Sequence, residues 1–306
     1  MSELAKIALF AYNRPVYVKR TIQCLKNDYL SSQSDLCVFC DGPKNQDDEK
    51  KVAEVRDIVK NIEGFNSVSI IERNINYGLA KSIIEGVNFL LNQNDRIIVF
   101  EDDLLSSPYT LQWFNNCLDI YKNSSSVFSI CGHSYPGHIL SIPSDYPYDA
   151  YFSARFGSCG WAIWKDRWEK INWDINFFNE ILCYRTTKLG FTACGVDMWD
   201  MLQNQIDNKI DSWAIRACFA QFVNNGLTLC PVFSYICNIG ADGSGTHGVD
   251  KTNRLLNDLS LAKNYVSLPK AFYVDPEIQL RLQKIYKRSI FKRLKQKLVK
   301  KFCVKL

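Results

Sequence analysis

A chain of 306 residues that is 47% hydrophobic and 13% aromatic has enough apolar material for a large core, which excludes a disordered chain and fits one big domain or two closely joined ones. No apolar run approaches the roughly 20 residues of a membrane-spanning helix. The net charge of +5 is unevenly spread: residues 281–306 hold eleven Lys or Arg and no acid, leaving 26 bases against 32 acids in the first 280 residues. An acidic body argues against a nucleic-acid partner.

The opening, MSELAKIALFAYN, runs into Asn-Arg-Pro without a small-residue cleavage site, so no signal peptide is expected. The twelve cysteines stand singly among apolar neighbours and read as reduced, buried thiols of a cytosolic protein. Cys37 and Cys40 have metal-like spacing, but in the strand-like LCVFCDG their odd separation sends them to opposite faces.

In chain order, KIALFAY predicts a strand and RPVYVKRTIQCLKN a helix. LCVFCDG and SVSIIER predict strands around the helix DDEKKVAEVRDIVKNI. The helix GLAKSIIEGVNFLLNQ, the strand RIIVFED, the helix PYTLQWFNNCLDIYKN and the strand VFSICGH follow. Near-continuous apolar strands alternating with helices imply an α/β, Rossmann-like, mostly parallel sheet flanked by helices, with ligands beyond the carboxyl ends of the strands. From Tyr151 the pattern becomes irregular and aromatic. The expected division is residues 1–132, 133–270 and a basic tail, 271–306.

Three consecutive acids, Glu101, Asp102 and Asp103, end the RIIVFED strand at that ligand-binding edge. In extended geometry Glu101 and Asp103 share a face and Asp102 points away. A hard divalent cation relieves their repulsion, and so small a cluster suits Mg²⁺ or Mn²⁺ completed by water and phosphate. Alternatively the acids favour the amino end of a helix capped by Ser107 with Pro108 as its first residue.

FAYNRP, DGP, NYGLAKSIIEGV and VFEDDL, in this order, resemble the nucleotide-sugar half of GT-A fold glycosyltransferases. The resemblance spans about residues 5–250 and extends to bacterial surface-polysaccharide transferases akin to glycosyltransferase family 2 and to the N-acetylglucosaminyltransferase I family. It implies Asp103 as metal ligand, Asp102 as a ribose and metal-water contact, and Glu101 as a contact to donor sugar hydroxyls. Ala11, Tyr12, Asn13 and Arg14 would line the nucleotide pocket, and Asp41 would accept from the base, although Asp41 before Gly42 and Pro43 could equally be a turn-former. Asn76, Gly78 and Lys81 resemble the loop beside the ribose, and Lys81 could equally be solvated.

In the second half GSCGWAIW resembles the family's Gly-Trp segment, with Gly160 leaving room and Trp161 offering a face to a sugar ring; Trp164 and Trp168, at helical steps, read as core. NIGADGSGTHG ends in His247, which resembles the late histidine of the metal site; His133 and His138 read as structural. The resemblance implies a metal-dependent, inverting hexosyltransferase using a nucleoside-diphosphate sugar, UDP-sugars foremost, and an oligosaccharide or lipid-linked acceptor of a bacterial surface glycan. A sugar-phosphate nucleotidyltransferase should instead open with a Gly-rich phosphate loop, which FAYNRP is not; a non-catalytic sugar- or membrane-binding module is the third reading. Where related enzymes carry the base, this chain has Ala214 or Ile215, so Asp211, with Asp197 and Asp200 next, are the candidates, and Asp211 could also be a plain helix cap.

The tail repeats apolar residues at helical spacing, Leu282, Ile285, Tyr286, Ile290, Phe291, Leu294, Leu298 and Phe302, among its cations. Such a basic amphipathic helix fits an anionic membrane surface, hence a peripheral site on the inner face of the cytoplasmic membrane; its stripe could also dock on its own domain.

Overall fold

The computed structural model describes residues 3–241 and 256–287. Apolar runs become buried strands and 3.6-residue apolar spacing becomes the helices that cover them. The chain opens with β1 (Lys6–Ala11), α1 (Pro15–Lys26), β2 (Asp35–Cys40), α2 (Gln46–Lys60), β3 (Ser67–Glu72), α3 (Leu79–Leu91) and β4 (Arg96–Glu101). Next come β5 (Leu104–Ser106), α4 (Thr110–Tyr121), β6 (Val127–Cys131), β7 (Ala150–Ser153), β8 (Trp161–Trp164) and α5 (Lys165–Trp168). They are followed by α6 (Asn179–Leu182), α7 (Arg185–Cys194), α8 (Met198–Ile206), α9 (Trp213–Val223), β9 (Leu227–Pro231) and β10 (Ile236–Asn238). A helix over residues 276–287, α10, ends the described chain.

Eight strands form one sheet in the order β3-β2-β1-β4-β8-β6-β9-β7. β3, β2, β1 and β4 are parallel. β8 runs against both β4 and β6, β9 follows β6 in parallel, and β7 closes the far edge antiparallel. Six strands therefore share one direction, the mostly parallel α/β arrangement expected. The order reverses between β1 and β4: β2 and β3 lie on one side of β1, and everything later lies on the other. Crevices open beyond the carboxyl ends of strands at such a switch point. β7, β8 and β9, from beyond residue 132, complete the sheet begun by the earlier strands.

The sheet is covered on both faces. α1, α2 and α4 bury Val18, Leu25, Val55, Val59, Leu111 and Phe114 on one side. α3, α8 and α9 bury Ile83, Val87, Met198, Leu202 and Phe219 on the other. Cys40 belongs to the first layer and Cys37 to the second, so the pair is split between faces as its spacing predicts. The eleven cysteines among the described residues are free thiols.

Three expectations change. The acids do not lead straight into a helix at Ser107 and Pro108: β5 intervenes, paired with β10, and α4 begins at Thr110. Trp161 is core rather than a sugar platform. It is 1% exposed, its ring stacked 5.7 Å from Trp168 and tilted 5.0 Å from Trp213. Trp164 and Trp168 are buried as expected. The start of the basic tail docks on the body: Ile278, Leu282 and Tyr286 of α10 are buried with Leu140, Tyr151, Cys131 and Cys230, and Ile285 packs beside them. A fully buried apolar side chain contributes about 1.5–3 kcal/mol, so Leu282 and Tyr286 are committed to the core and not to a membrane stripe. Residues from 288 onward, Ile290 to Phe302 included, lie outside the described residues. No helix among the described residues is long and apolar enough to cross a membrane.

Candidate active site

The acids lie at the switch point, at and just beyond the carboxyl end of β4. β4 stops at Glu101, so the strand alternation ends there, and Asp102 and Asp103 sit in a turn that brings both carboxylates toward the residues after β1. Arg14 Nη1 donates to Asp103 Oδ2 at 2.8 Å and lies 3.9 Å from Asp102 Oδ1, and its guanidinium stacks 4.0 Å over Tyr17. The Tyr12 amide, directly after Ala11, donates to Asp102 Oδ2 at 3.3 Å. Thr21 holds the Asp102 carbonyl at 2.7 Å.

Three carboxylates face one nearby guanidinium in partly dry surroundings. Burial, with Asp103 and Asp102 beside it, pushes Glu101 up to about 8; burial and Asp103 push Asp102 up to about 7; Arg14 opposes both shifts. A divalent cation would relieve the repulsion these shifts express, and carboxylate oxygens are the hard ligands that Mg²⁺ or Mn²⁺ prefers. Among the described residues no group of three His, Cys, Asp or Glu is arranged to hold a metal alone, so Asp103 would need phosphate and water oxygens beside it. His247 lies outside the described residues.

Two residues at this centre escaped the sequence reading. The β5–β10 ladder sets Asn238 opposite Leu104. From there Asn238 Nδ2 reaches Asp103 Oδ1 at 3.4 Å, and the Ile239 amide donates to the Asp103 carbonyl at 3.0 Å. Gly240 follows so closely that a Cβ there would lie 1.8 Å from Asp103 Oδ2 and 3.0 Å from Arg14 Nη1. Asn238 and Gly240 belong to the same NIGADG string that drew attention to His247, but their partner is a long-range strand contact.

On the β2 side, Asp48 in the first turn of α2 accepts from the Tyr12 hydroxyl and from Asn13 Nδ2, each at 2.6 Å, fixing the loop after β1. Burial and that hydrogen bond push the Tyr12 phenol up to about 12. Asp41 is buried, and its carboxylate accepts from the amides of Gly42, Tyr77 and Gly78 at 3.0, 2.9 and 3.1 Å and from Asn76 Nδ2 at 3.2 Å. It thus clasps the loop that carries Asn76. Gly78 caps α3 with φ +74°, a left-handed conformation that disfavours side chains, and the space beside it is open. Lys81 is exposed, paired with Glu85 at 3.6 Å and lying 4.5 Å over the Tyr77 ring.

The second half contributes Gly160, whose carbonyl accepts from the Gly132 amide at 2.8 Å and whose φ of +62° and contact with Ile236 leave little room for a side chain. The three candidate bases differ sharply. Asp211 does not cap α9: Ser212 does, through the Ile215 amide, while Asp211 is 70% exposed and paired with Arg216 at 2.8 Å. Asp200 is exposed in the first turn of α8. Asp197 is buried at the start of α8, yet its side chain makes no cap and is held by Arg155 at 2.8 Å. Tyr135 is partly buried beside Arg155 and Asp197, whose charges act on its phenol in opposite directions. Arg155 is a third residue that the sequence did not single out.

No protein-family model matches the chain, and no curated protein matches it. Among solved structures, the mannosyltransferase PcManGT from Pyrobaculum calidifontis, in complex with GDP-Man and Mn²⁺, is similar over 54% of this chain and 46% of that chain, with 11% sequence identity and a TM-score of 0.38. The matched part is less than half the length of that protein, and a likeness of this degree identifies neither family nor activity.

Proposed function

We propose that this protein is a metal-dependent GT-A glycosyltransferase that moves a sugar from a nucleoside-diphosphate donor, a UDP-sugar foremost, to a glycan hydroxyl with inversion. One observation carries the proposal: the Glu101–Asp102–Asp103 turn at the switch point of the sheet, three acids beside Arg14 and closed in by Asn238 and Gly240. A Mg²⁺ or Mn²⁺ ion bound there would supply Lewis-acid stabilisation of the leaving diphosphate. Asp103 would hold it, with Asp102 toward the ribose and Glu101 toward the sugar hydroxyls. The loops after β1 and β2, with Asn13, Asp41 and Asn76, would flank the nucleotide.

Asp197 is the base this reading favours, because it is buried, makes no helix-cap hydrogen bond and is oriented by Arg155. The acceptor oxygen attacks the anomeric carbon, the bond from that carbon to the diphosphate breaks, the hydroxyl proton passes to Asp197, and the nucleoside diphosphate leaves. A lipid-linked precursor of a bacterial surface polysaccharide is the acceptor proposed, at the inner face of the membrane. Its support is the charge of residues 288–306, eight cations and no acid, worth on the order of 1 kcal/mol each near an anionic leaflet. The test is turnover of a panel of nucleotide sugars by pure protein with Mn²⁺. Wild type should hydrolyse at least one slowly, and both EDTA and Asp103→Ala should abolish this without unfolding the protein. Undiminished turnover in excess EDTA would refute the metal role.

A further inference from the structure

α10 reaches the segment that carries Asp197 with more polar contacts than docking requires. Ile278 and Leu282 already anchor the helix, at 0% and 3% exposure. Beside them, Gln283 uses both ends of its amide on the turn between α7 and α8: Nε2 donates to the Ala193 carbonyl at 2.6 Å, and Oε1 accepts from the Val196 amide at 2.9 Å. Gln279 Nε2 donates to the same Ala193 carbonyl at 2.6 Å. One turn beyond Gln283, the Tyr286 ring lies 4.5 Å from the guanidinium carbon of Arg155, whose Nη1 grips Asp197 at 2.8 Å. The enclosed turn has no slack, since a Cβ on Gly195 would come within 2.9 Å of Met198 and 3.1 Å of both Arg155 Nη1 and Asp197 Oδ1.

We propose that α10 is a brace for the catalytic base, in which Gln283 and Tyr286 are positioning residues that set Asp197 through the Val196 amide and the Arg155 guanidinium. The inference rests on the reading of Asp197 given above and goes beyond it. Activity would then depend on a helix that is remote in sequence from the donor site and that leads directly into the basic residues 288–306. An amide clamp on the residue before Asp197 fixes the backbone, and a cation–π contact on its guanidinium partner fixes the carboxylate. Misplacing a reacting group by about 1 Å can cost on the order of 10²-fold in rate.

The experiment compares full-length wild type with Gln283→Ala, Tyr286→Leu and Tyr286→Phe by two measurements. Amide hydrogen exchange needs no substrate. Loss of the clamp should speed exchange across residues 193–201 by about tenfold and leave residues 96–103 unchanged, and Tyr286→Phe, which keeps the ring, should behave as wild type. Kinetics use whichever of UDP-glucose, UDP-galactose, UDP-N-acetylglucosamine and GDP-mannose the wild type turns over fastest. Gln283→Ala and Tyr286→Leu should lower kcat by about 10- to 100-fold with donor KM within about twofold, and Tyr286→Phe should restore kcat. Unchanged exchange at 193–201, exchange raised equally throughout the sheet, or normal kcat despite faster local exchange would each overturn the brace. Absence of turnover by wild type on every donor, with the exchange result as expected, would remove the glycosyltransferase reading and leave the brace as a structural one.

Discussion

Gly240→Ala is the most direct probe of the acid centre, because the substitution adds one methyl group and its target is a single carboxylate. At Gly240 that methyl carbon would lie 1.8 Å from Asp103 Oδ2, where contacts under 3.0 Å are essentially never found, so Asp103 or the 238–240 segment must retreat by about 1.2 Å. Either movement strains the 2.8 Å Arg14 pair and the Asn238 contact together. A displacement of about 1 Å at a reacting centre is worth on the order of 10²-fold in rate, so metal-dependent donor turnover should fall by about that factor while thermal unfolding shifts little. Gly137→Ala is the control, since a Cβ there meets nothing within 4 Å. The assay is release of nucleoside diphosphate at saturating Mn²⁺, with circular dichroism melts in parallel. Gly240→Ala turnover within twofold of wild type would refute the geometry proposed for Asp103.

The other predictions concern the second half and the tail. Trp161→Ala should cost about 3–5 kcal/mol in urea unfolding, as removal of a buried aromatic does, whereas a sugar platform would lose donor affinity at constant stability. Asp197→Asn should lower transfer by about 10²- to 10⁴-fold, and Asp211→Asn, at an exposed ion pair, should change it less than twofold; the reverse order would return the base to α9. Burial lowers the His133 imidazole to about 4 from its ordinary 6.5, so the fold holds it neutral. The stability this contributes is present above pH 6.5 and is lost as pH falls toward 4, by at most about 3 kcal/mol and less in proportion to water at the half-buried ring. His133→Gln should flatten that part of the urea-stability profile. A chain ending at Lys287 should melt with wild type, since α10 remains, and should lose retention on anionic phosphatidylserine vesicles; equal retention would dismiss residues 288–306 as the membrane contact.

Much of the first half was legible because its signals are local. β1, β2 and β4 are short apolar runs bounded by turn residues, too short for a helix, and the acids sit at a strand end, so the parallel sheet and the edge bearing Glu101, Asp102 and Asp103 follow from run length, alternation with helices and the ligand-binding habit of such sheets. Even there the turn after Glu101, which aims Asp102 and Asp103 at one arginine, depends on β5 finding β10. The tertiary structure alone decided which aromatic face is dry: the Trp161 ring is covered by Phe156, Trp168 and Trp213, a convergence of separate elements that no local pattern carries. It also decided the partners of each candidate aspartate. Ser212 takes the cap that Asp211 might have taken, and Arg155 orients Asp197, because hydrogen-bond partners are allotted by distance in space. The tail is the clearest division. Its helical stripe was readable residue by residue, but an amphipathic face requires only that something cover it, and the buried surface around Tyr151 and Cys230 covers Leu282 and Tyr286.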